Sequence, residues 1–226
     1  MRTCWLTKRH ASSCLLFFAG WGMDPEPFRI VPSQDHDLFM IYDYRDLQLP
    51  DLDALQAAYR HLHLVAWSMG VWAAGLLLAE KREIFTTTMA VNGTLTPIDD
   101  RCGISDRTFT GMIDTFSEDS QEQFYSAMLN DRTAAEQFLA HRPRRRPENV
   151  LAELVHLRQA YRQHGPAKDI FARKIVGSRD RIFPARNQIR SWGKENCTVI
   201  KAPHFPFYGW QSWDHLPTGA RTYAPR

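Results

Sequence analysis

Apolar residues come in short unbroken runs separated by polar turns. Residues 14–19, CLLFFA, form one such run, which stops at Gly20. A second, 38–42 LFMIY, gives way to the polar DYRDLQLPD, and a third, 62–67 LHLVAW, ends at Ser68. Runs of this length without polar alternation suit strands buried on both faces, as in a parallel sheet. Residues 69–80, MGVWAAGLLLAE, are apolar nearly all round and suit a central helix covered on several sides. Residues 85–91, FTTTMAV, are β-branched and stop at the turn signal Asn92-Gly93. Strand, helix and strand alternate, which predicts an α/β fold with a mostly parallel sheet, flanking helices and right-handed crossovers.

The period changes in the middle of the chain. Over 105–164, β-branched runs are few and helix formers are many. Phe124, Met128 and Leu129 share one face, as do Val150, Leu151, Leu154, Val155 and Tyr161. The pattern predicts a helical cap insertion, roughly residues 97–165, lying over the sheet. Inside it, HRPRRRPE (141–148) marks a break at Pro143 and Pro147. The α/β pattern then resumes, with strands at 171–177 and 197–201 and a helix at 184–193. The polar tail after about Leu216 reads as loose. With no internal repeat, residues 1–226 read as a single domain carrying the insertion.

Composition narrows the function classes. A chain of 226 residues with 44% hydrophobic content can bury a sizeable core and is too apolar for disorder. A formal charge of +3 gives no reason to expect nucleic-acid binding. It leaves an acidic partner and a small-molecule substrate open. The four cysteines, Cys4, Cys14, Cys102 and Cys197, are far apart and form no C-x-x-C pair, which argues against a zinc knuckle or a disulfide framework. Arg2, Lys8 and Arg9 precede CLLFFAG, but that apolar stretch is too short for a signal peptide and lacks a small-x-small cleavage site. No stretch reaches the roughly 18 apolar residues of a membrane span. A cytoplasmic protein in a reducing compartment is expected, with no membrane partner.

Ser68 is the first chemical candidate. It lies between a strand and a helix in Ala66-Trp67-Ser68-Met69-Gly70, close to the G-x-S-x-G elbow that holds a nucleophile on a strained bend. Ala66 stands where the pattern has glycine. The bland reading of Ser68 is a small packing residue. Gly20-Trp21-Gly22 follows the first run, at a strand's carboxyl end where ligands bind in open α/β sheets. Its N–H groups, with that of Met69, can meet an oxyanion, or the loop is a plain tight turn. Asp180 follows a strand in VGSRD and can orient a histidine, or pair with Arg179 or Arg181. His204 follows the last strand in APHFPF, or is a turn histidine between prolines. The order Ser, Asp, His is that of the α/β-hydrolases. His61 and His63 read as structural, Asp35-His36-Asp37 as a solvated loop, and Asp24 as a turn cap.

Together, LLFFAGWGMD, VAWSMGVWAA, VGSRD and APHFPF resemble the BioG-type pimeloyl-acyl-carrier-protein methyl ester esterases of bacterial biotin synthesis, over about residues 14–210. The resemblance implies a serine carboxylesterase of α/β-hydrolase fold that removes a methyl group masking the free carboxylate of a pimeloyl chain, ending its elongation. It implies Ser68 as nucleophile, His204 as base, Asp180 as the orienting acid and the N–H groups of Trp21 and Met69 as oxyanion donors, with Gly20 and Gly22 flanking. It implies the Trp21 ring as a wall of the acyl channel and no metal or organic cofactor. An acidic carrier protein suits an arginine-rich face, for which Arg142, Arg144, Arg145, Arg146, Arg158 and Arg162 are candidates; the bland reading is a solvated loop with scattered charges. A general short-chain carboxylesterase, an acyl thioesterase and a non-catalytic hydrolase-like binding module are the rival readings.

Overall fold

The computed structural model describes residues 1–218. From residue 219 onward, the expected loose tail lies outside the described residues. Seven strands form one sheet: β1 (Arg2–Thr7), β2 (Ser13–Phe18), β3 (His36–Tyr42), β4 (His61–Trp67), β5 (Thr87–Val91), β6 (Arg173–Gly177) and β7 (Thr198–Ile200), in the order β1-β3-β2-β4-β5-β6-β7. All pairings are parallel except β1 with β3. Helix α1 (Asp53–Ala58) precedes β4, α2 (Met69–Leu77) follows it, and α3 (Asp106–Asp114), α4 (Glu118–Ala127), α5 (Arg132–Ala140) and α6 (Pro147–His164) lie between β5 and β6. Helix α7 (Ala185–Trp192) joins β6 to β7, and α8 (His215–Thr218) ends the described chain. This is a mostly parallel α/β-hydrolase-like sheet with flanking helices and a helical cap insertion.

The central strands β2 and β4 are mainly apolar because both faces of the sheet are covered. In β2, Cys14, Leu16 and Phe18 join one core, while Leu15 and Phe17 join the other. In β4, Leu62, Leu64 and Ala66 go one way, and Val65 and Trp67 the other. The first core is closed by α2, α3, α6 and α7, through Trp72, Phe109, Leu154 and Trp192. The second is closed by Tyr125 and Phe138 of the cap and by the irregular segment that carries Phe205, Phe207 and Trp213. Helix α2 is apolar all round because Met69 through Gly75 are all buried.

Strand β1 escaped the sequence pattern. It is an edge strand whose first residues are exposed, so its apolar content is too low to stand out. Trp5 lies opposite Phe39, with ring centroids 4.8 Å apart.

The Asp35-His36-Asp37 reading needs correction. Only Asp35 is exposed; His36 opens β3, and Asp37 is fully buried. Asp37 accepts hydrogen bonds from the Arg9 N–H and the Tyr59 hydroxyl, both at 2.7 Å. Those donors are distant in sequence, which is why the tripeptide looked solvated. His36 Nδ1 lies 2.9 Å from Asp214 Oδ1. His63 packs edge-on against His36 at 5.0 Å, and its Nδ1 meets the Thr87 hydroxyl at 2.9 Å.

Burial, helped by the neighbouring His36 and His61, pushes the His63 pKa down from 6.5 to about 4. As pH falls below 6.5, the unfolded chain takes up a proton at this position, which the folded chain refuses until about pH 4. The folded state therefore loses stability across that window. Urea unfolding is expected to show a lower free energy at pH 4.5 than at pH 7, and His63→Phe to remove part of that difference.

Candidate active site

The carboxyl ends of β2 and β4 meet where the chain reverses its order through the sheet, and ligands bind at such switch points. Ser68 stands there, between β4 and α2, with φ 59° and ψ −129°. This is a left-handed backbone that a non-glycine residue adopts only at a cost of about 1–3 kcal/mol. The bend is held by Ser68 N donating to Val91 O and Val71 N donating to Ser68 O, both at 3.0 Å. Gly70 follows because α2 crosses directly over β2: a Cβ at this position would lie 2.4 Å from the Ala19 carbonyl oxygen.

His204 and Asp180 converge on this bend. The His204 Nε2 lies 3.0 Å from Ser68 Oγ, and its Nδ1 lies 2.8 Å from Asp180 Oδ2. All three side chains are buried, Ser68 at 4% exposure. Neither arginine beside Asp180 pairs with it. Its Oδ1 instead accepts from the Ile182 and Phe183 N–H groups, both at 2.8 Å, and its Oδ2 also accepts from Gln188 Nε2 at 2.9 Å. Arg181 turns away to the Ser126 and Leu129 carbonyls. The His204 ring is stacked on Phe183, with 9° between planes. Hydroxyl, imidazole and carboxylate linked in this order can pass the serine proton to the imidazole while the carboxylate stabilises the resulting charge.

The Gly20-Trp21-Gly22 loop lies beside this chain: a Cβ on Gly20 would be 3.1 Å from Ser68 Cβ. Among the described residues, the N–H groups of Trp21 and Met69 have no protein acceptor. The Trp21 indole is buried against Phe124, 4.8 Å away between centroids, and its Nε1 donates to Val150 O at 2.8 Å. Asp24 caps the turn as expected, accepting from Glu26 N at 3.0 Å; it also accepts from Arg144 N at 2.6 Å. Burial raises its pKa despite these bonds.

The arginines separate into different environments. Arg145 is not a surface residue: its side chain is 7% exposed and ion-paired to Asp43 and Glu153. The docking expectation for Arg145 is withdrawn, because a guanidinium held by two buried carboxylates is unavailable to a partner. Arg142, Arg144 and Arg162 are exposed and stand beside Glu122, Glu26 and Asp106. Arg146 is exposed at the start of α6, and Arg158 is half-buried. At ~1.5 Å per residue, α6 sets Arg162 roughly 24 Å from Arg146.

Some residues at the site were invisible in the sequence reading. Asn92, taken only as a turn signal, donates to the Pro203 and His204 carbonyls at 2.7 and 2.9 Å and accepts from Gly177 N at 2.6 Å. One side chain thus joins the ends of β5 and β6 to the histidine loop. The Asn92-Gly93 pair was the available signal, since asparagine tolerates the positive φ of 46° found there. Gln188 and Glu153 carry no local signal at all. Among the described residues, no group of three His, Cys, Asp or Glu side chains is placed to hold a metal ion, and no helix is long and apolar enough to cross a membrane.

The family profile described as pimeloyl-ACP methyl esterase BioG matches residues 1–216. The chain belongs to this family. The crystal structure of BioG from Haemophilus influenzae superposes with a TM-score of 0.85 at 34% identity, covering 96% of this chain and 100% of that one. An uncharacterized protein of Haemophilus influenzae is 36% identical over 206 residues, 89% of this chain and 93% of that protein. A malonyl-[acyl-carrier protein] O-methyltransferase of Bacteroides fragilis is 39% identical over 188 residues, 83% of this chain. The chain spans only 38% of that methyltransferase's length. Within the BioG framework, Asn92→Ala is expected to lower the unfolding free energy by about 2–4 kcal/mol, since it strands buried partners. It should also slow fluorophosphonate labelling of Ser68. Urea titration and gel-based labelling measure the two effects.

Proposed function

We propose that this chain hydrolyses the methyl ester of pimeloyl-acyl-carrier protein in the cytoplasm. Water is consumed, methanol is released, and the freed carboxylate stays on its carrier, ending elongation in biotin synthesis. The observation that carries this reading is the 3.0 Å approach of His204 Nε2 to Ser68 Oγ on a strained bend, in a chain of the BioG family. Ser68 Oγ attacks the ester carbonyl and His204 takes its proton. The Trp21 and Met69 N–H groups bind the oxyanion, each such donor being worth roughly 2.7–4 kcal/mol. His204 then protonates the departing methoxide, and a water repeats the sequence to release the acid. Asp180 holds the His204 tautomer and stabilises its charge. The Trp21 ring lines the acyl channel between Gly20 and Gly22.

The partner is an acidic carrier protein, met by the exposed arginines Arg142, Arg144 and Arg146, with Arg158 and Arg162 further along α6. Steering of this kind acts mainly on encounter and is weakened by salt.

Conversion of pimeloyl-carrier-protein methyl ester to the free acid is expected for the wild type and is lost in Ser68→Ala. Asp180→Asn should keep its fold and lose about 10³–10⁴-fold in kcat. A folded wild type that leaves this ester intact but cleaves the carrier thioester would replace the reading with an acyl thioesterase. At low salt, converting Arg142, Arg144 and Arg146 to Glu should lower kcat/KM for the carrier ester relative to that for p-nitrophenyl butyrate. An unchanged ratio would remove this face as the docking site.

A further inference from the structure

Helix α6 breaks its own apolar stripe. Its buried positions are Val150, Glu153, Leu154, Leu157 and Ala160, and Glu153 is 0% exposed. A carboxylate there is costly unless its oxygens are used. Oε1 accepts from Tyr44 N at 2.9 Å, and Oε2 accepts from Gly22 N at 3.1 Å and from Arg145. Arg145 in turn reaches Asp43 at 2.9 Å. One residue of the cap thus binds the loops that leave β2 and β3. One turn earlier on the same helix, the Val150 carbonyl accepts from the Trp21 indole at 2.8 Å.

These bonds land on a loop that cannot hold itself. Gly20 and Gly22 flank Trp21, and Gly22 has φ 76°. Glycine on both sides leaves the Trp21 N–H free to swing between backbone conformations of similar energy. The fixed points are external: Tyr44 Oη donates to Ala19 O at 2.7 Å before the loop, and α6 grips it at Trp21 and Gly22.

We propose that α6 sets the oxyanion geometry, with Glu153 as the positioning residue that fixes the Trp21–Gly22 backbone. The inference rests on the esterase reading above. Glu153 touches no reacting atom; it acts through the loop. The cap and the site are then one mechanical unit, and α6 stays seated during turnover, because lifting it would release the oxyanion donor.

The test uses p-nitrophenyl butyrate and a short alkyl trifluoromethyl ketone, whose serine adduct places an oxyanion between the same N–H groups. Glu153→Gln leaves one acceptor oxygen for the N–H groups of Gly22 and Tyr44, and Trp21→Phe removes the indole donor to Val150 O. The expected result is a kcat lower by on the order of 10–100-fold, with KM within about twofold for Glu153→Gln, the variant that leaves the channel wall intact. The trifluoromethyl ketone Ki should rise by the same factor as kcat/KM falls. A merely structural role would lower the melting temperature and leave kcat per labelled Ser68 and the Ki unchanged; that result overturns the proposal. If Glu153→Gln fails to fold, Trp21→Phe carries the test alone, since it keeps an aromatic ring in place. A folded wild type with no hydrolysis and no Ser68-dependent fluorophosphonate labelling overturns the esterase reading and this inference with it. Active wild type beside unchanged variants overturns only this inference.

Discussion

Helix α2 lies almost in contact with the backbone of β2, and the candidate site depends on that approach. Gly70 allows it, because any side chain there would meet the Phe18 and Ala19 carbonyls. Gly93 allows the matching approach from β5, where a Cβ would stand 2.4 Å from Ser68 O. Between these two close contacts the chain has one way to turn, and Ser68 takes a conformation it would avoid in isolation. The strain is offset by the apolar burial of α2 on all sides. A serine held this way cannot swing off its bend, so its hydroxyl meets His204 with little conformational freedom to lose.

The histidine is held differently. It sits in a bend after β7, outside any strand or helix, yet it is fully buried. Aromatic packing substitutes for regular hydrogen bonding. Phe205, Phe207 and Trp213 close over Phe17, Phe28 and Trp67, and Trp67 Nε1 and Asn92 Nδ2 both donate to the His204 carbonyl. Further on, Asp214 clasps the loop before β3 through Ser33, Gln34, Asp35 and His36. Burial works against that carboxylate, but these donors hold its pKa below the usual range. The segment is thus tied down at both ends, with the imidazole between.

The cap adds charge where the sheet supplies apolar surface. Asp43, Arg45, Arg145 and Glu153 form a connected set beneath α6. Burial raises the Glu153 pKa against the pull of Arg145. Asp43, also opposed by burial, is drawn below its ordinary value by Arg45 and Arg145. Oil-like packing would hold α6 down as firmly. The polar set adds direction, since N–H donors from two loops find acceptors at only one seating of the helix.

Much of this was legible in the sequence. Unbroken apolar runs marked the strands that are covered on both faces, and the switch to helical spacing marked the insertion. The order Ser68, Asp180, His204, each at the end of a run, named three side chains that the fold brings within hydrogen-bond distance. Such features are local: they depend on neighbours a few residues away. The edge strand β1, the buried Asp37, the bridging Asn92, the withdrawn Arg145 and the buried Glu153 were not legible. Each of these is decided largely by partners far off in the chain, from the 22-residue separation of Asp37 and Tyr59 to the 131-residue separation of Gly22 and Glu153. A charged residue reads as solvated until the residues that surround it are known, and only the packed chain supplies them.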